Sequence, residues 1–395
     1  MNKKLMALAV AAAVSAPVLA LADDSTVTLY GTLNVDFENV KAGDVFQSRN
    51  RVSSNSSNIG FRGVEPLSAG LNAWFQVESG AHIDQSVSGD TWASRNSGVG
   101  LNGNFGSILL GQWDSPYKFS TVRLDPFGDT TIAGYSAIMG GGGSPTAGNF
   151  LTGQSFLNNA SFDRRVSNTV QYWSPNWSGF SFRLAYGANE EKTTSAAGSR
   201  DPRLFGLNAA YENGPLYLTG AYEEHRDFGT IASGVAIYNS IAGTTFVAPA
   251  FDQGKDTGWK FGGSYDIANL FTIAAIYEQL KWKSDTLGAD VKVKDWFVAG
   301  TFHPGPHKIS LTYADRGKAE LNGSDITDSD ARQYGVRYGF SFSKRTEFYA
   351  MYTKVDNKNN AFQDFAVNGI GLVPTTASNR GIDPQGFGAG FIHKF

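Results

Sequence analysis

What most constrains this chain is a rhythm: sixteen segments of about ten residues alternate apolar and polar side chains, and the gaps between them are short and long in turn. Successive side chains of a strand point to opposite faces, so each segment reads as a strand with one apolar and one polar face. In the first, 27–39, Val27, Leu29, Leu33, Val35 and Phe37 share one face, and Thr28, Tyr30, Thr32, Asn34, Asp36 and Glu38 share the other. The others run 52–64, 70–82, 92–103, 105–113, 165–175, 178–189, 202–213, 215–226, 256–267, 270–283, 291–304, 306–318, 329–343, 345–356 and 386–395. Short gaps at 65–69, 102–104, 174–177, 212–214 and 303–305 hold the Pro, Gly and Asn of tight turns. Eight long gaps, 40–51, 83–91, 114–164, 190–201, 227–255, 284–290, 319–328 and 357–385, are polar and glycine-rich. An even strand count, long loops on one side and both termini on the other predict an all-β, 16-stranded antiparallel transmembrane β-barrel. A soluble β-protein has no reason to keep its long loops on one side.

Both ends of the chain agree with a membrane destination. Phe387, Ala389, Phe391, His393 and Phe395 share one face of a terminal strand, with Lys394 on the other. In water this end would fray and expose three phenylalanines; against lipid they form an interfacial girdle. At the other end, Lys3 and Lys4 precede an apolar run from Leu5 to Leu21 that closes on Ala20-Leu21-Ala22, the form of a signal-peptidase site. Residues 1–22 are thus expected to be a cleaved signal peptide, and 23–395 a single barrel domain. No other stretch approaches the roughly 20 apolar residues of a spanning helix. Hydrophobic residues make up 41% of the chain and cysteine is absent, so neither helical spans nor disulfides shape it. The formal charge of −3 offers no basic excess for nucleic acid.

Alternation also sorts the arginines. On 178–189 the outward set is Phe180, Phe182, Leu184 and Tyr186, leaving Arg183 inside; on 329–343 it is Tyr334, Val336, Tyr338, Phe340 and Phe342, leaving Arg337 inside. Charge on the lipid face at mid-membrane costs about 2–4 kcal/mol, so these arginines belong to the lumen. Sixteen strands enclose too wide a space to fill with side chains, which leaves an aqueous channel.

The opening Val27-Thr28-Leu29-Tyr30-Gly31, the segment Asn58-Ile59-Gly60-Phe61-Arg62-Gly63, the run Leu71 to Ser79, the stretch Gly100-Leu101 to Leu110-Gly111 and the final Phe395 occur in this order. Together they resemble the trimeric general diffusion porins of Gram-negative outer membranes, over the whole chain after the signal peptide. The resemblance implies three barrels per assembly, an outer-membrane location among lipid and lipopolysaccharide, and a terminal Phe395 read by the barrel-assembly machinery. It also implies a third loop folded into the pore as a constriction, here 114–164. That loop carries Arg123, Asp125 and Asp129 around a Pro-Gly turn, where the family places acidic residues facing a basic wall; these carboxylates could instead cap the turn itself. Gly140-Gly141-Gly142-Gly143 and Ser144-Pro145 read as a flexible return path.

By the same resemblance the wall falls on Arg62, Arg95 and Arg165, with Arg164 as an addition. Alternation supports Arg62, since Ile59 and Phe61 take the other face. Arg95 shares its parity with Val99 and Leu101, opposite Asn96, Gly98 and Gly100; a small-residue outward face would place this strand at a subunit interface. Asn58 stands where enteric-type porins carry an inward arginine.

The function this implies is passive diffusion of small hydrophilic solutes and ions, with no cofactor and a modest preference for anions. The alternatives are a substrate-selective channel of the same fold, or a surface barrel serving adhesion or phage attachment. An enzyme is not indicated. The five histidines form no catalytic set, no G-x-S-x-G occurs, and Gly98-Val99-Gly100-Leu101-Asn102-Gly103 lacks the βαβ setting of a dinucleotide site. Asp325, Asp328 and Asp330 read as a solvated loop rather than a calcium site.

Overall fold

The computed structural model describes residues 26–85, 92–141, 162–188, 190, 192–195, 198–228, 254–285, 288–372 and 379–395. The expected signal peptide lies outside them, as do residues 142–161 of the third loop. Sixteen antiparallel strands close into one barrel. They are β1 Thr26–Ala42, β2 in two segments Phe46–Ser54 and Asn58–Ser68, β3 Leu71–Gly80, β4 Ser97–Gly103, β5 Gly106–Asp114, β6 Arg165–Trp173, β7 Phe180–Gly187 and β8 Arg203–Asn213. The ring continues with β9 Leu216–Arg226, β10 Lys255–Ile267, β11 Phe271–Ser284, β12 Ala289–Phe302, β13 His307–Arg316, β14 Ala331–Ser341, β15 Thr346–Asn357 and β16 Pro384–Lys394. It closes where β16 pairs with β1, from Thr32↔Lys394 to Ala42↔Pro384.

The expected faces are in place. Phe37, Phe61, Val99, Leu101, Phe180, Tyr186, Val336, Phe387 and Phe391 all lie exposed on the outside, while Asn34, Asp36, Glu38 and Arg337 are buried within. Phe395 is exposed on the outer face, and its backbone exchanges both hydrogen bonds with Gly31. A closed ring leaves no backbone group unpaired toward lipid, which is why strands can span here.

Two connections differ from the sequence reading. The first long gap, 40–51, is only the turn 43–45, because β1 and β2 keep pairing to Ala42↔Phe46. The outer face of this hairpin tip is polar, with Asn39 bonding Ser48 and Asn50, while on the inner face Arg51 bonds Glu38 and Val40 and Ala42 are buried beside them. Pairing therefore continues where hydrophobic alternation has stopped. The fourth strand starts at Ser97 rather than 92, after a turn in which Ala93 has a φ of 60°. Val99 and Leu101 face out and Gly98 and Gly100 face in, which reverses the expected small-residue outward face.

Candidate functional site

Ser115 caps a one-turn helix, α1 Pro116–Thr121, by accepting from the Lys118 N–H, and Pro116 fixes its first position. The turn aims Tyr117 across the lumen, where its hydroxyl donates to Glu278 of β11 at 2.9 Å. Further along, Gly140 N–H donates to the same carboxylate, and Asp163 accepts from Lys260 of β10 at 2.6 Å. Gly140 is thus docked on the wall rather than part of a loose return path. Leu124, Tyr135, Ile138 and Met139 pack with Tyr217, Ile276 and Phe297 of the barrel wall. Gly262 leaves the socket for Leu124, since a Cβ there would lie 2.9 Å from its Cδ1. The described part of the third loop therefore lies inside the barrel against β9–β12, held by apolar contact and by buried hydrogen bonds.

The last long loop folds inward too. Phe365, Ile370 and Leu372 pack with Phe127 and Ile132 of the third loop. The Asp364 carboxylate accepts from the N–H groups of Phe365, Ile370, Gly371 and Leu372. Burial nevertheless raises its pKa above the ordinary carboxylate range. No sequence signal pointed to this second insertion.

Beside these loops runs an open cavity of about 910 Å³. Its lining, among the described residues, includes Arg95, Arg123, Lys308, Arg337, Lys344, Arg345 and Lys394, against the carboxylates of Asp125 and Glu347. Lys308 and Arg337 both pair with Glu347. The turn after β14 brings Lys344 and Arg345 beside Lys394 at the end of β16. Of this corner, the sequence reading had placed only Arg337 and Lys394 inside.

The carboxylates of the loop are engaged by their own backbone. Asp125 is 4% exposed and accepts at 3.0 Å from Phe127, Asp129 and Tyr135 N–H groups. Burial, reinforced by the nearby Asp129, pushes its pKa up to about 7. Asp129 accepts from the N–H and hydroxyl of Ser136, and burial raises it as well. Both carboxylates therefore organise the turn, and only Asp125 borders the cavity. Arg123 forms a two-pronged ion pair with Glu212 at 2.9 and 3.0 Å and lies over the Tyr217 ring.

The wall arginines are distributed as follows. Arg95 stands in the turn before β4, where strand parity does not apply, and its Nε donates to Glu78 at 2.6 Å. Arg165 pairs with Asp114 at 3.3 Å and donates to Asn96 at 2.8 Å. It does not border the 910 Å³ cavity, and neither do Arg62, Arg164 or Arg183. Arg62 lies over the Tyr30 ring and Arg164 over Phe228, while Arg183 points inward onto Phe119 of α1. Among the described residues, no cluster of His, Asp or Glu is arranged to hold a metal ion.

A family profile for Gram-negative porin matches residues 7–360. Over 402 residues the chain is 29% identical to outer membrane porin protein 32 of Delftia acidovorans, covering 100% of each. Over 360 residues it is 32% identical to the major outer membrane protein P.IB of Neisseria meningitidis serogroup B, covering 88% of this chain and 91% of that one. Its fold is similar to that of an anion-selective porin from Comamonas acidovorans, with a TM-score of 0.73 at 24% identity, over 94% of this chain and 100% of that one.

Proposed function

The chain belongs to the Gram-negative porin family and is an outer-membrane channel, and on that premise we propose that it conducts small hydrophilic solutes and ions passively, with a preference for anions. The observation that carries the preference is the lining of the open cavity, where seven basic side chains face two carboxylates, one of them held by its own loop. In a narrow aqueous passage such an excess lowers the energy of an anion and raises that of a cation. The test is the reversal potential of the purified protein in a planar bilayer under a potassium chloride gradient. A potential of the sign set by chloride supports the reading, and one set by potassium overturns it.

The assembly is proposed as a homotrimer embedded in lipid and lipopolysaccharide and inserted by the barrel-assembly machinery through Phe395. The outer face of β1–β5 supports contact between copies, since it exposes Val27, Leu29, Val99, Leu101, Ile108 and Leu110, a largely aliphatic surface. Migration as a heat-labile trimer in SDS checks this. Cross-linking that yields only monomers sinks it.

A further inference from the structure

The inner wall carries a second hollow that conduction of small ions does not require. Trp74 of β3, Trp113 of β5 and Trp173 of β6 all project to the lumen side and cluster with ring centroids 5.3–5.8 Å apart. Lipid and its interfaces are the favourable places for indole rings in a barrel, so three of the chain's eight tryptophans on the wet side call for an explanation.

The cluster is built rather than loose. Trp74 Nε1 donates to Ser107 Oγ and Trp173 Nε1 to Gln171 Oε1, each at 3.0 Å, so these two indole N–H groups are satisfied at the wall. Trp74 lies flat because Gly100 faces it; a Cβ there would come 2.8 Å from the indole. The Arg183 guanidinium sits 4.5 Å from the Trp173 ring centre and fixes that ring from the loop side. With Arg62, Gln76 and Asn102 the tryptophans line a hollow of about 440 Å³. Arg62 forms no ion pair among the described residues, whereas Arg95, Arg123, Arg165 and Arg337 each pair with a carboxylate.

We propose that this hollow is a binding subsite for planar aromatic carboxylates, the ring stacking on the tryptophan cluster and the carboxylate meeting Arg62. The inference rests on the channel reading but not on the anion preference. Aromatic rings stack favourably in offset or edge-on geometry, and a guanidinium matches a carboxylate with two parallel donors. An aliphatic carboxylate would engage only Arg62. A neutral sugar would leave the Arg62 charge unused.

Benzoate and acetate, added at equal concentration to single channels conducting chloride in a planar bilayer, test the proposal. Benzoate should interrupt the current in a concentration-dependent way and acetate should not. Trp113→Leu, which keeps an apolar side chain but removes the ring, and Arg62→Gln should each raise the half-blocking concentration about fivefold. Should Trp113→Leu fail to assemble, Arg62→Gln, on an exposed side chain, decides alone. Benzoate acting no more strongly than acetate overturns the subsite, and so does a benzoate block that Arg62→Gln leaves unchanged. A reversal potential set by potassium would overturn the anion preference while leaving the benzoate result readable.

Discussion

The third loop and the corner formed by β13–β16 both carry charge into the lumen, but the charges act on different partners. Asp125 and Asp129 face their own loop, which donates four backbone hydrogen bonds to them from Phe127, Asp129, Tyr135 and Ser136 and a fifth from the Ser136 hydroxyl. Lys344, Arg345 and Lys394 face the open cavity, and only Glu347 among the corner residues opposes them. A charge whose hydrogen-bonding capacity is already taken shapes the pore; a charge left to solution selects what passes through it.

The largest effect should come from the loop. Asp125→Ala leaves three buried N–H groups without an acceptor, at a cost on the order of 3–5 kcal/mol. The loop should loosen, single-channel conductance should rise and the barrel should convert at lower temperature on SDS gels. A variant that kept normal conductance and shifted only ion choice would erase the distinction between the two regions.

Next comes the corner. Replacing Lys308, Lys344, Arg345 and Lys394 together by Gln removes four cavity-facing charges, and the reversal potential should move toward potassium by a several-fold change in permeability ratio, most at low salt. Conductance should change less than in the loop variant. A smaller shift is expected from Arg95→Gln with Arg165→Gln, because Glu78 and Asp114 already offset these arginines. A pair that shifted selectivity more than the corner variant would move the selective region back to the wall.

The smallest effect is on pH. Because the folded Asp125 pKa is raised to about 7, above its ordinary value, its contribution to stability is fully present below the ordinary value and is lost as pH rises through about 7. The stability gap between the wild type and Asp125→Asn, read from the heat-conversion midpoint, should therefore narrow between pH 5 and pH 8. A gap that widened would mean that the ionised form is the one the loop prefers.

The barrel was legible because its signals are local: a period of two, turn residues at one end and lipid-facing side chains that tolerate no charge. Arg62, Arg183 and Arg337 follow from that parity. Arg95 does not, since parity has no meaning before Ser97, where the chain is a turn. Gly98 and Gly100 misled for a related reason, since their size answers to Leu109 and Trp74, which approach from neighbouring strands. The inward fold of the last loop was equally hidden, because Phe365, Ile370 and Leu372 meet partners more than two hundred residues away. Lys308, Lys344 and Arg345 become a group with Lys394 only when the ring closes, a long-range event that no short window contains.

That closure is fastened at two places. At the short-turn end Phe395 exchanges backbone hydrogen bonds with Gly31. Part-way along the inner wall Arg51 of β2 donates to the carbonyl of Asn368 in the inward-folded last loop, and the Asn368 side chain donates to the Ser54 carbonyl and to Asn55. The seam thus behaves like a bracelet with two clasps, one at its short-turn end and one from the last loop across to β2. A slip of β16 along β1 by even two residues, which would keep every side chain on its proper face, opens both clasps at once, so the first and last strands to be synthesised can meet in one register only.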